Sequence, residues 1–401
     1  MKVLQINTVV NAGSTGRIAE SLGVKVLEAG GESHIAYGRN PRPSRSHTFR
    51  MGSQGSIWWH GIQTRLLDRH GEGSRVATRE LVRYMEELCP DVIHLHNLHG
   101  YYLNLEILFD FLAHNVYPVV WTLHDCWAFT GHCCHFSACG CERWKRQCYA
   151  CPQSVRYPTS YFWDRSRTNY RLKREWFTSV ESMVLVPVSR WLGGLVGESF
   201  LSGYPVHMIY NGVDCTVFRP RDVQGIRRKY GLQRRFVVLG VANTWEEWKG
   251  LQTFKVLRSR LGSEFDILLV GLSPNQIQRL PEGIIGISRT EQVQELATLY
   301  SLADVYVNAS VEETFGMTTA ESLACGTPAV VWDVTACPEV ISPDTGVAVK
   351  LGETEALAEA VESLCWQGKA RYAEACVRRV QDLFKLERQQ EAYYQLYQSL
   401  L

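Results

Sequence analysis

The chain has 401 residues, 45% of them hydrophobic and 21% charged, with 42 basic against 41 acidic side chains and a net charge of +1. That length exceeds one ordinary core and suits two domains, and the balanced charge provides no bulk field to draw in nucleic acid, so no nucleic-acid partner is expected. The N-terminal stretch MKVLQINTVV is too short an apolar run for a secretory signal, and no window nears the roughly 18 apolar residues of a membrane span, so a cytoplasmic protein is expected, with peripheral association at the inner face of the plasma membrane left open.

In chain order, VLQINTVV (3–10) reads as a buried strand, NAGSTGR (11–17) as a loop, and residues 15–29 as a helix. SHIAYGR, DVIHLHNL and YPVVWTLHD read as further strands, with helices expected over 76–88 and 103–114. After the polar stretch FRPRDVQGIRRKYG (218–231) a second series begins. Its expected strands are RFVVLGVAN, FDILLVGL, GIIGIS, DVYVNAS and PAVVWD, with helices at GLQTFKVLRSRL, EQVQELATLYSLA and TTAESLACG. Continuous apolar strands alternating with helices predict parallel sheets covered on both faces. The fold class is therefore α/β, with two doubly wound, Rossmann-like domains whose strand ends face a cleft. The expected domains are 1–205, carrying a Cys-rich loop over 126–152, and 206–375, followed by a helical segment 376–401 that crosses back to the first.

Five stretches carry chemistry. EETFGMTTAESLACGTPAV (312–330) sets Glu313 in a loop after a strand and Glu321 on the helix that follows Phe315 and Gly316. Two carboxylates so spaced suit the hydroxyls of a long polyol ligand; alternatively Glu313 complements a helix dipole and Glu321 is a solvated helix acid. In GVANTWEEWKGLQTF (240–254), Lys249 and Gly250 open a helix, and the lysine can reach a phosphate or simply meet solvent. Gly13 and Gly16 in NAGSTGR permit close backbone approach to an anion, or form a tight turn; the spacing is not G-x-G-x-x-G, which disfavours a dinucleotide dehydrogenase. WTLHDCW (121–127) places His124 and Asp125 at a strand end, where a polar pair is more often functional than structural. HLHNLHGYY (94–102) invites a metal reading through His94, His96 and His99, but strand-end hydrogen bonding is favoured. No two aspartates are separated by one residue, so an Asp-x-Asp metal pair is absent.

Together these stretches resemble the family-4 group of retaining glycosyltransferases with the GT-B fold, over nearly the whole chain. YNGVD (210–214), the Lys-Gly helix, RTEQVQELATLYSLADVYVNAS and the E-x7-E segment with Phe-Gly and C-G-T-P carry the likeness. WTLHDCWAFTGHC with CERWKRQCYACP is similar to the bacterial exopolysaccharide branch, including colanic-acid-type enzymes. The resemblance implies a metal-independent, retaining hexosyltransferase that uses a UDP- or GDP-sugar and a glycan or lipid-linked acceptor, with no catalytic cofactor. It implies that Glu313 meets the donor sugar, with Phe315 and Gly316 lending amides, and that Glu321 holds the ribose. Lys249 would neutralise the diphosphate, Gly13 and Gly16 would close on it, and His124 would stand near the reacting carbon. The family's usual arginine before that lysine is replaced by Asn243, which donates a hydrogen bond without charge; Arg17 or Arg289 could substitute. An epimerase of the same shape, and a silent sugar-nucleotide or partner-binding protein, are the alternatives.

The chain holds thirteen cysteines, and six fall in CCHFSACGCERWKRQCYAC (133–151). Cys133, Cys141, Cys148 and Cys151 follow C-x7-C-x6-C-x2-C, whose terminal pair is a common half of a structural zinc site. Disulfides and free thiols are the alternatives, and Cys134, Cys139, His132 and His135 are alternative ligands. GSIWWHGIQTRLLDRHG (55–71) carries adjacent tryptophans among basic residues and reads as an acceptor or lipid-headgroup contact, or as core.

Overall fold

The computed structural model describes residues 1–401. The chain forms two compact units, Met1–Ile209 with Gln390–Leu401, and Tyr210–Gln389. The expected boundaries at 205/206 and 375/376 thus shift to 209/210 and 389/390.

The first unit contains strands β1 (Lys2–Val9), β2 (Glu32–Arg39), β3 (His47–Arg50), β4 (Val92–Leu95), β5 (Val119–Leu123) and β6 (Met183–Pro187). They form one sheet in the order β3-β2-β1-β4-β5-β6, and every pairing is parallel. The central strands are buried along their length, as their apolar runs require of a sheet covered on both faces. One core joins Val3, Ile18, Leu22, Val92, Val120 and Val186 to Tyr393 and Tyr397 from the C-terminal helix Leu386–Ser399. Those tyrosines also satisfy polar groups in the sheet. Tyr397 shares a 2.6 Å hydrogen bond with His94 Nδ1, and the Tyr393 hydroxyl lies 2.7 Å from Thr122 Oγ1.

The second unit holds β7 (Phe236–Val241), β8 (Phe265–Val270), β9 (Ile284–Ile287), β10 (Val305–Asn308), β11 (Ala329–Trp332) and β12 (Gly346–Val349). Its sheet runs β12-β11-β10-β7-β8-β9, again wholly parallel. Read from the other edge, this repeats the connectivity of the first sheet. In each unit the strand order reverses beside the first strand, between β1 and β4 and between β7 and β10. That reversal is where ligands of doubly wound sheets bind, outside the carboxyl ends of the strands.

Three strands escape the sequence reading: β3, β6 and β12. The expected helical segment 376–401 falls on two helices, Ala370–Leu383 and Leu386–Ser399. The break follows from a competing bond pattern, in which Val213 N donates to Phe384 O at 2.7 Å and Leu386 N donates to Val213 O at 2.9 Å. Those two bonds draw the chain at Lys385 into a β-bridge with Val213.

Candidate active site

The turn after β7 carries Asn243, which is exposed, and runs through a short 3-10 turn, Glu247–Lys249. Lys249 therefore precedes the helix Leu251–Arg260 rather than starting it, and Gly250 is the cap, with φ +76°. A Cβ at Gly250 would stand 2.3 Å from Ala309 O in the neighbouring turn after β10, so glycine is needed both for its backbone angle and for the close approach. Val311 N donates to Trp248 O at 2.9 Å, tying the two turns together.

That junction brings Lys249 onto Glu313, Nζ to Oε1 at 2.5 Å, with both side chains about four-fifths buried. The Lys249 ammonium also lies 4.2 Å from the Trp248 ring centre. Glu313 is held from behind as well: its N–H donates to Thr335 Oγ1 at 3.1 Å, and its carbonyl accepts from Ala336 N at 3.3 Å. Phe315 is a core residue, packed between Tyr210 and Phe384, so only its backbone is available to a ligand. Gly316 caps the helix Met317–Ala324 with φ +101°. Glu321 lies on that helix, and its Oε2 accepts a 3.1 Å hydrogen bond from the hydroxyl of buried Tyr300. The second unit thus gathers Lys249 and Glu313 at the reversal between β7 and β10, and orients Glu321 from the same turn-helix segment. Tyr300 and Thr335 were invisible to spacing arguments because they reach these groups from other elements.

In the first unit, Gly13 begins the helix Gly13–Glu28 with φ +63°, and a Cβ there would meet nothing within 4 Å. At Gly16 a Cβ would press on Val9 Cγ2 at 3.0 Å and Asn11 N at 3.2 Å, so that glycine serves the turn's own packing. His124 follows β5, and its Nε2 lies 3.1 Å from His96 Nδ1, while His96 Nε2 lies 3.0 Å from Gln5 Oε1. Burial holds His124 down to about 4, so the imidazole is neutral near pH 7. Burial also takes His94 and His96 well below the ordinary histidine value. All three histidines of HLHNLHG hydrogen-bond to protein groups: His94 to Tyr397 and Thr122, His96 to Gln5 and His124, His99 to Tyr157 and Asp125.

Asp125 accepts from Trp127 N at 2.8 Å and pairs with His99 Nε2 at 2.8 Å. Burial alone would raise its pKa, but the neighbouring His99 outweighs it and holds the carboxyl at about 2. Ligand atoms of His99, Asp125 and Cys134 lie within 4.8 Å of one another, a different grouping from the one the cysteine spacing points to.

The cysteine loop is pinned by its own contacts. All thirteen cysteines are free thiols in this structure. Cys133, Cys141, Cys148 and Cys151 line one cavity of about 10 Å³ together with His132 and Ser166. Trp144 roofs it, stacked on Phe136 at 4.9 Å. Trp58 and Trp59, for which core was one reading, face outward at 67% and 58% exposure. No helix is long and apolar enough to cross a membrane.

Two doubly wound sheets of the same order, with acidic and basic side chains gathered at a strand-order reversal, define a glycosyltransferase of the GT-B fold. The chain belongs to glycosyltransferase family 4: a profile described as Glycosyltransferase Family 4 matches residues 16–217, and one described as Glycosyl transferases group 1 matches 235–366. It is 26% identical over 373 residues to WcaC of Escherichia coli K12, assigned as a glycosyl transferase of colanic acid biosynthesis, with 87% of each chain covered. It is 26% identical over 190 residues to N-acetyl-alpha-D-glucosaminyl L-malate synthase of Bacillus anthracis, covering 45% of this chain and 49% of that protein. Among solved structures, sucrose-phosphate synthase from Thermosynechococcus elongatus superposes with a TM-score of 0.73 at 17% identity, covering 99% of this chain and 98% of that one. Anabaena Alr3699/HepE, solved in complex with UDP, superposes with a TM-score of 0.70 at 15% identity over 100% of both chains.

Proposed function

We propose that the chain transfers a hexosyl group from a nucleoside-diphosphate sugar, UDP- or GDP-linked, to a glycan or lipid-linked acceptor in exopolysaccharide or capsule assembly, with retention of configuration. The observation that carries this reading is the Lys249–Glu313 pair at the reversal between β7 and β10. A diphosphate arriving there would draw Lys249 from Glu313 and free the carboxylate for donor hydroxyls, with the amides of Phe315 and Gly316 beside it. Glu321, oriented by Tyr300, would take the ribose. His124, kept neutral by burial, would hydrogen-bond near the reacting carbon without competing for a proton. Charge on the departing diphosphate would be met by Lys249 and backbone amides, an electrostatic form of catalysis. The acceptor proton would pass to an oxygen of that leaving group, so no strong base is required. HepE, the structural relative solved with UDP and with UDP-glucose, supports the donor class.

The outward face of the helix Gln54–Leu67 supports a peripheral encounter with an anionic bilayer that carries the acceptor. Trp58, Trp59 and exposed Arg65 share that face, and Tyr161 N donates to Arg65 O at 2.9 Å, bringing exposed Tyr161, Phe162 and Trp163 alongside. Amphipathic aromatics among arginines suit the headgroup layer. Co-sedimentation with anionic vesicles should weaken when Trp58, Trp59, Phe162 and Trp163 become serine; unchanged partition would remove the bilayer from this reading.

The function is tested by a thermal-shift panel of UDP-, GDP- and TDP-sugars, followed by product analysis with and without glycan acceptors. Stabilisation by one donor class and a new glycosidic product are expected. Isomerised donor without acceptor would replace the transferase with an epimerase.

A further inference from the structure

We propose that the cavity under Trp144 is a structural zinc site, with the thiolates of Cys133, Cys141, Cys148 and Cys151 as its four ligands. Three independent features lead to it. First, the fold brings all four sulfur-bearing side chains of C-x7-C-x6-C-x2-C to the wall of one cavity of about 10 Å³, the scale of a single ion or water. All four come from one irregular loop of 19 residues, Cys133 and Cys148 buried and Cys141 and Cys151 half-buried.

Second, two buried polar residues, His132 and Ser166, only 2% and 1% exposed, line the same wall. The His132 ring is fixed: Nδ1 lies 2.8 Å from Oδ1 of fully buried Asp68, which itself accepts from Arg165 N at 2.8 Å. It lines the cavity beside the thiolates without being one of the four ligands. The sulfur of Cys148 already accepts a backbone N–H from Gly131 at 3.2 Å, an interaction that stabilises thiolate.

Third, a lysine is buried beside the loop. Lys173, 2% exposed, donates from Nζ to the carbonyls of Trp127 at 2.7 Å and Thr130 at 3.0 Å, and stands 3.4 Å over the Trp127 ring. Zinc binding to four thiols releases one proton from each and leaves the centre doubly negative, a charge that the nearby Lys173 amine would offset when protonated. The metal would draw the sulfurs to about 2.3 Å from a common point and close a tetrahedral site without a water, which gives it a structural role. The neighbouring His99, Asp125 and Cys134 are less suited, because both Asp125 oxygens already hold protein donors.

The full-length chain, purified without chelator under reducing conditions, should contain about one zinc per chain by elemental analysis. Replacement by cobalt should produce thiolate-to-metal charge-transfer absorption, and chelation should lower the melting temperature and expose the four thiols to a thiol reagent. Cys148→Ser with Cys151→Ser should abolish metal binding, as should Cys141→Ser, while His132→Asn should retain it. A chain that carries no zinc and takes up neither zinc nor cobalt overturns the proposal, as do four cysteines found oxidised, or zinc retained by the double variant. Zinc kept by Cys141→Ser but lost from His132→Asn overturns the four-thiolate set. If the double variant does not fold, the cobalt spectrum of the unaltered chain decides, and absent charge-transfer bands count against the site. None of these readouts depends on the transferase reading.

Discussion

Glu313 is held on two sides before any ligand arrives, by Lys249 in front and by the Thr335 hydroxyl and Ala336 amide behind. Glu313→Gln keeps the shape and the backbone bonds but removes the charge that balances Lys249 and that, on the proposed function, would accept from sugar hydroxyls. Turnover with a verified donor and acceptor should fall at least about tenfold, or roughly 1.4 kcal/mol of transition-state stabilisation, with an unfolding transition close to that of the parent chain. Unchanged kcat and KM would take Glu313 out of the chemistry. The positions of Glu313 and Glu321 were legible because a strand, a Phe-Gly turn and a helix are local patterns. What orients them was not: Tyr300, reaching Glu321, and Thr335, behind Glu313, are each brought in by tertiary packing that a motif does not encode.

At the scale of elements, the two turns after β7 and β10 act as one unit because Gly250 lets them touch. Gly250→Ala combines a left-handed φ with a 2.3 Å approach to Ala309 O. It should cost more than about 1 kcal/mol in urea unfolding and shift Lys249 away from Glu313. The functional loss should then exceed what the stability loss alone accounts for; full activity in the folded variant would show that the junction does not position the lysine. Apolar runs such as VVWTL and FDILLV were readable as strands because both faces of a parallel strand are buried. HTFR of β3 was not, since it is a short edge strand with three of four residues exposed. The helix break near Lys385 was equally hidden, because it depends on bonds to Val213 some 170 residues earlier in the chain.

For the whole molecule, the reading without a catalytic divalent ion is separable from the zinc proposal by rate. Brief EDTA treatment should leave initial velocity intact, while prolonged chelation should cause a slow loss that zinc reverses. An immediate loss restored by magnesium or manganese would show that the diphosphate requires a metal. Acid should distinguish the two units in another way. Burial holds His60 and His124 to about 4 and places His70, His94 and His96 well below the ordinary value near 6.5, all within the first unit. Each is neutral when folded and takes up a proton when unfolded, so the unfolded state binds more protons below pH 6.5 and stability falls as pH falls. His132 works in the opposite direction: burial lowers its pKa, but Asp68 outweighs this and raises it. The slope is about 1.4 kcal/mol per pH unit for each unbalanced histidine across its window. In the second unit, the Glu295 carboxyl is held at about 2 by Lys229 first and Tyr230 next, so its contribution is lost only below about pH 4.5. Between pH 6.5 and 5, hydrogen exchange should therefore rise in the first unit while the β7–β12 sheet stays protected. Equal loosening of both sheets, or a melting temperature flat from pH 7 to 5, would mean that the buried histidines exchange protons in the folded state and are not the acid-sensitive element.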